Sequence, residues 1–210
     1  MKYRQDYFDR MPVVGIMRHF SNEQIEAIVP LYKKAGLTNL EVTMNSENAQ
    51  EVISQLAKDN PDMNIGAGTV CTITDLERAL GAGASFVVTP VMDTDVMKVC
   101  REANIPIFPG AYSPLEIYNA WNAGASAVKI FPATQLGPTY VKDILAPLSE
   151  VKLLPTGGVS IDNIQTFFKA GAVGVGMGSS LFDKAMINEE NYEGLFSHFE
   201  LICKKVSECI

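Results

Sequence analysis

Histidine and cysteine are scarce in this chain, with two of the first and four of the second in 210 residues. Cys71, Cys100, Cys203 and Cys209 show no CxxC spacing, and two histidines do not make a ligand cluster. No metal or other cofactor is expected, and free thiols in a reducing compartment fit better than a disulfide framework. No run of about 18 or more apolar residues occurs, so no membrane span is expected. The opening MKYRQDYFDRMP is charged and lacks an apolar signal core, which points to a cytoplasmic protein. Basic residues are outnumbered, 17 Lys and Arg against 24 Asp and Glu, for a net charge of -7. That argues against non-specific binding of nucleic acid or of an anionic membrane, while a locally positive site for a small anion stays compatible. No linker, low-complexity stretch or charge run divides the chain, so one domain over residues 1–210 is expected.

What the sequence does have is a recurring unit. A helical stretch ends in Ala-Gly and a short apolar strand follows, at KKAGLTNLEVTM, LGAGASFVVTP, WNAGASAVKIFP and FFKAGAVGVGMG. The glycines, Gly36, Gly83, Gly124 and Gly171, suit the left-handed residue that closes a helix. Four more strand candidates lie between: VVGIM (13–17), NIGAGTV (64–70), PIFPG (106–110) and KLLPTGG (152–158). Ser21 with Gln24, Thr74 with Glu77 and Ser113 with Glu116 have capping-box spacing, and Pro114 suits a first helical position. Pro30, inside the first helical stretch, predicts a kink or a late start. Eight strands alternating with eight helices, about 25 residues per unit, predict an α/β fold of the (β/α)8 barrel type. An open doubly wound sheet is the competing architecture, but no GxGxxG follows the first strand.

A barrel places functional residues at the C-terminal ends of its strands. Alternation puts Glu41 and Thr43 on one side of LEVTM, and Lys129 on one side of AVKIF with Ala127 and Phe131. Inward-facing, Glu41 and Lys129 meet in a confined interior. The bland alternative is a buried ion pair, which is weak evidence of stability. The functional alternative is a desolvated amine, neutral near pH 7, that attacks ketones as a Schiff-base nucleophile, with Glu41 moving protons. The turns PTGGVS and GMGSSL, after the seventh and eighth strands, suit a phosphate site, although glycine is also the default residue of tight turns. Arg18, after the first strand, could grip a carboxylate or be a solvated surface arginine. Thr69, Thr89 and Thr156 sit at strand ends, where each could bind a ligand or cap a loop. Trp121, His19 and His198 receive no role.

In this order, PVVGIMR, LEVTM, GAGTV, FVVTP, IPIFPGAYSPLEI, AVKIFPA, LLPTGGVS and VGMGSSL resemble the KDPG/KHG aldolase family, from about Met11 to Phe182. These are 2-dehydro-3-deoxy-phosphogluconate and 4-hydroxy-2-oxoglutarate aldolases. The resemblance implies a class I aldolase on a (β/α)8 barrel, a homotrimer, and a phosphorylated 2-keto-3-deoxy sugar acid and pyruvate as small-molecule partners. It implies Lys129 as the Schiff-base lysine and Glu41 as the general acid/base. It implies Thr69 at the pyruvyl carboxylate, Pro90 and Phe131 packed on the pyruvyl group, and Thr156 at the larger sugar acid. It implies Gly158, Gly178 and Ser179 at the phosphate. Many members carry an arginine where this chain has Asn45; others carry one after the first strand, and Arg18 fits that version. The galactonate epimer as substrate, and a phosphate-binding barrel isomerase or epimerase, are the alternatives.

Overall fold

The computed structural model describes residues 2–210; Met1, the first residue of the expected 1–210 domain, lies outside the described residues. Each predicted strand is present. They are β1 (Val13–Met17), β2 (Asn39–Thr43), β3 (Asn64–Gly68), β4 (Val87–Val88), β5 (Ile107–Phe108), β6 (Gly110–Ala111), β7 (Val128–Ile130), β8 (Leu153–Pro155) and β9 (Val175–Met177). All pairing is parallel. The fifth expected strand comes in two pieces because Pro109 has no N–H to give to a ladder. At that point the chain changes partner: β5 pairs with β4 and β6 with β7. The result is a six-stranded sheet, β5-β4-β3-β2-β1-β9, and a three-stranded sheet, β6-β7-β8. A single parallel bridge between Thr156 and Gly176 spans the gap between β8 and β9. Mixed α/β architecture with parallel strands is thus observed, in two sheets rather than one ring of eight.

The helices are α1 (Gln5–Arg10), α2 (Asn22–Lys34), α3 (Ala49–Asp59), α4 (Ile73–Gly81), α5 (Thr94–Glu102), α6 (Pro114–Asn122), α7 (Gly137–Leu145), α8 (Ile164–Lys169), α9 (Lys184–Asn188) and α10 (Tyr192–Ser207). Capping boxes form at Ser21–Gln24 and Ser113–Glu116, as predicted. The box predicted at Thr74 does not form. α4 is capped two residues earlier by Thr72, whose hydroxyl accepts from the Asp75 amide at 3.1 Å, so Thr72 and Asp75 satisfy the same spacing nearer the strand end. Helix α2 starts directly after Ser21 and runs through Pro30 to Lys34, so the late start is not seen. Gly36, Gly83, Gly124 and Gly171 all have φ between +94° and +102°. The following amide in each case reaches back to close the last turn, as Ala125 does to Ala120 at 3.2 Å.

Alternation along the strands builds two cores. Val13, Met17, Leu40, Val42, Val128, Ile130 and Leu153 face the helices and join the larger cluster. Val14, Phe86, Val88, Phe108, Ala127 and Leu154 face the other way into a separate one. Phe8 of α1 closes this inner cluster, stacked on Phe108 with ring centres 5.8 Å apart. The N-terminal segment is pinned there by buried asparagines that open β2 and β3. Arg4 N–H donates to Asn64 Oδ1 at 2.8 Å, and Asn64 Nδ2 donates to the Arg4 carbonyl and to Asn39 Oδ1, each at 2.8 Å. Asn39 Nδ2 donates to the Met11 carbonyl at 2.9 Å. Every buried amide group here has a partner, which offsets the cost of burying it. With one end of the strands plugged, the inner face opens only at the C-terminal ends.

Candidate active site

Glu41 lies between Leu40 and Val42, and Lys129 between Val128 and Ile130, all four neighbours in the helix-facing core. The period of two therefore turns both charged side chains to the inner face. They line a cavity of about 480 Å³ at the C-terminal strand ends. Arg18, Thr69, Pro90 and Phe131 line it as well, as do Thr156, Gly158, Gly178 and Ser179. The structure thus brings all ten sequence-predicted site residues to one cavity.

Glu41 is 1% exposed and Lys129 6%. Burial pushes the Glu41 carboxyl up to about 7, and the nearby Lys129 charge offsets part of that rise. Burial pushes the Lys129 amine down; Glu41 opposes that shift, and Arg18 adds to it. Among the described residues Lys129 makes no ion pair within 4 Å. Glu41 Oε2 is buried with no protein hydrogen-bond partner. The pair is therefore not a closed salt bridge. It is two desolvated groups close enough to shift one another, with a carboxylate oxygen left for something else to hydrogen-bond. Lys129 Nζ lies 4.8 Å from the centre of the Phe131 ring, which is 37% exposed at the cavity wall. The Phe131–Pro132 peptide that follows is cis. Gly68 is what lets the Glu41 side chain lie flat on β3, since a Cβ there would collide with Oε1.

Thr69 has φ +55°, unusual for a β-branched residue, and it lines the cavity. Thr156 is buried, with its side chain against Gly176. Thr89 is different. It is absent from the cavity wall, and its hydroxyl donates to the Val91 carbonyl and accepts from the Gly110 amide, so it is a loop cap. Arg18 is exposed at the mouth. The residue after it, His19, has φ +60° and donates its N–H to Ser46 Oγ at 3.0 Å; Ser46 in turn contacts Thr43 Oγ1 at 2.9 Å. This chain of contacts ties the Arg18 loop to the end of β2. Asn45 does not line the cavity.

The far side of the cavity is made of two turns. Gly157 and Gly158 have φ of +89° and +76°, and a Cβ on Gly158 would sit 2.8 Å from Thr134 Cα. Asn163 pins this turn by donating to the Gly158 carbonyl and accepting from the Ser160 amide, both at 2.8 Å. The Gly178–Phe182 turn presents Ser179, which is exposed. Its neighbour Ser180 donates to the Val159 carbonyl, which joins the two turns. Backbone and hydroxyl donors gathered on glycine turns suit an anion.

Three features escaped the sequence reading. His198 contacts the Ser180 carbonyl through Nε2 at 2.9 Å and so braces the second turn. Lys184 lines the cavity beside that turn. The α1 plug looked only like a charged N-terminus. A larger groove, about 580 Å³, runs between α2 and α3 over Ile25, Val29, Val52 and Leu56. It contains no buried titratable group, and chemistry favours the smaller cavity despite the difference in size.

A sequence model of KDPG and KHG aldolase matches residues 5–197. The 2-dehydro-3-deoxy-phosphogluconate aldolase of Haemophilus influenzae is 33% identical over 193 residues, covering 90% of this chain and 91% of that protein. The 2-dehydro-3-deoxy-6-phosphogalactonate aldolase of Escherichia coli is 30% identical over 82% of this chain and 85% of that protein. Among solved structures, a native KDPGal structure superposes with a TM-score of 0.88 at 27% identity, covering 100% of this chain and 98% of that one. A KDPG aldolase from Legionella pneumophila, holding pyruvate as a covalent carbinolamine intermediate, superposes with a TM-score of 0.86 at 26% identity, covering 93% and 96%.

Proposed function

This chain belongs to the KDPG and KHG aldolase family, and we propose that it cleaves 2-dehydro-3-deoxy-6-phosphogluconate to pyruvate and glyceraldehyde 3-phosphate through a Schiff base on Lys129. The observation that carries the reading is the unpaired, buried Lys129 beside a Glu41 whose carboxyl is lifted to about 7. An amine pushed down by burial is a competent nucleophile at neutral pH, and an acid near 7 both takes and gives protons there. The covalent pyruvate carbinolamine of the Legionella relative is the species such an amine forms first.

The neutral Lys129 amine adds to the C2 ketone, and loss of water leaves a protonated imine. Glu41 takes the proton of the C4 hydroxyl, directly or through water, as the C3–C4 bond breaks. Its electron pair moves into the imine as an enamine, and the aldehyde leaves. The enamine takes a proton at C3, and water hydrolyses the imine to release pyruvate and the free amine. Arg18 and Thr69 hold the carboxylate, Pro90 and Phe131 pack on the pyruvyl group, Thr156 faces the sugar chain, and Gly158, Gly178 and Ser179 hold the phosphate. 4-Hydroxy-2-oxoglutarate, cleaved to pyruvate and glyoxylate, is a shorter substrate for the same steps. The galactonate epimer is a second reading, favoured by the similarity to proteins named for it; assay of both epimers decides between them.

The two sheets are arcs of one (β/α)8 barrel in this reading. The Thr156–Gly176 bridge and the continuous chain through Pro109 support it, as does the inner core walled by both sheets. A homotrimer is also part of the proposal. Exposed Tyr112, Leu115 and Tyr118 of the β6–α6 region, with Val91 at 61% exposure on the adjoining loop, form the surface that supports it.

Borohydride reduction with pyruvate, followed by peptide mass mapping, tests the mechanism. A reduced pyruvyl adduct on Lys129, absent from Lys129→Met, is the expected result. Folded protein at saturating pyruvate with no adduct overturns it.

A further inference from the structure

The chain carries a net charge of -7, yet the cavity walls hold three cations, Arg18, Lys129 and Lys184, against the single carboxylate of Glu41. Two of the cations serve the reacting end of the substrate. Arg18 and Glu41 are close enough to Lys129 to act on its charge, whereas Lys184 is not among the groups that do. Lys184 instead follows the Gly178–Phe182 turn, on the side of Ser179 and Ser160. It is exposed, and among the described residues it makes no ion pair within 4 Å. The neighbouring acid does not neutralise it, because Asp183 Oδ1 accepts from the Ala185 and Met186 amides at 2.8 and 3.1 Å. A free ammonium on a flexible stem, next to a wall of backbone and hydroxyl donors, is complementary to a dianion.

We infer that Lys184 is a specificity-determining residue, whose ammonium contacts the distal phosphate of the substrate and selects phosphorylated over unphosphorylated 2-keto acids. The inference rests on the phosphorylated-substrate reading above. It makes the cavity a receptor with a cation at each end, Arg18 for the carboxylate and Lys184 for the phosphate. The spacing between the two then favours a six-carbon phosphorylated acid over a short one.

The test compares wild type, Lys184→Met and Lys184→Arg on 2-dehydro-3-deoxy-6-phosphogluconate and on 4-hydroxy-2-oxoglutarate. The ratio of kcat/KM between the two substrates is expected to fall about tenfold in Lys184→Met, as for one charge-assisted contact partly screened by solvent, with the loss carried by KM. Lys184→Arg keeps the charge and is expected to restore most of the ratio. Added salt should raise KM for the phosphorylated substrate more steeply in wild type than in Lys184→Met. A wild-type preference that survives intact in Lys184→Met overturns this inference alone. No wild-type preference for the phosphorylated substrate overturns the reading beneath it as well, and pyruvate trapping on Lys129 then shows whether the Schiff-base chemistry stands without it.

Discussion

Glu41→Gln gives the sharpest test of the site's electrostatics. The carboxyl of Glu41 is lifted from 4.5 to about 7, chiefly by burial. A group whose pKa is raised on folding binds its proton more tightly in the folded state. Stability therefore falls as pH climbs from about 4.5 to 7 and stays at the lower level above that. The lift corresponds to roughly 3 kcal/mol at 1.36 kcal/mol per pH unit, taken as an order of magnitude. Glutamine has the same shape and never ionises, so the variant lacks this term. Its unpartnered amide adds an offset that does not vary with pH, so the slope is the readout. Relative to wild type, Glu41→Gln is expected to gain about 3 kcal/mol between pH 4.5 and pH 8, or roughly 6–12 °C in Tm for a chain of this size. Thermal unfolding of both proteins across that range measures it. A Tm difference that is flat from pH 5 to pH 8 refutes the reasoning, because Glu41 would then be ionised throughout, held by Lys129 or by solvent. In the cleavage assay the same variant should lose about 100- to 10,000-fold in kcat, as for removal of a general base.

Gly68→Ala drives a Cβ into the Glu41 carboxylate; a fall in kcat of tenfold or more is expected from displacing the base, and wild-type kcat would show that the carboxylate has room to move. Phe8→Ala removes the plug of the inner core, where Phe8 is 5% exposed; it should cost about 3–5 kcal/mol in chemical unfolding while leaving KM at 25 °C close to wild type, because the plug lies at the opposite end of the strands from the cavity. Leu115→Lys places a charge on a residue 69% exposed in the chain alone; light scattering should show loss of the trimer, and an unchanged assembly would move the interface elsewhere.

Much of the fold was legible because its signals are local. A helix-closing glycine is set by its own φ, and Gly36, Gly83, Gly124 and Gly171 all adopt the left-handed conformation expected of them. Strand alternation is also local, so it already put Glu41 and Lys129 on definite faces of their strands. The ten candidate site residues followed from strand ends, glycine turns and family resemblance, and all ten line one cavity. Capping was less certain where two spacings competed, and Thr72 prevailed over Thr74.

Tertiary structure decided the rest, because it depends on partners distant in the chain. That Pro109 splits a strand between two neighbours follows from what pairs on each side of it. That Asn39 and Asn64 hold the N-terminal segment depends on contacts up to 60 residues apart. That Lys129 and Glu41 perturb each other without forming a salt bridge depends on the depth and separation that packing sets. Lys184 and His198 gave no signal at all. A lysine in a polar stretch and a histidine on a terminal helix read as surface, and only the folded chain brings them to the turns at the far wall of the cavity.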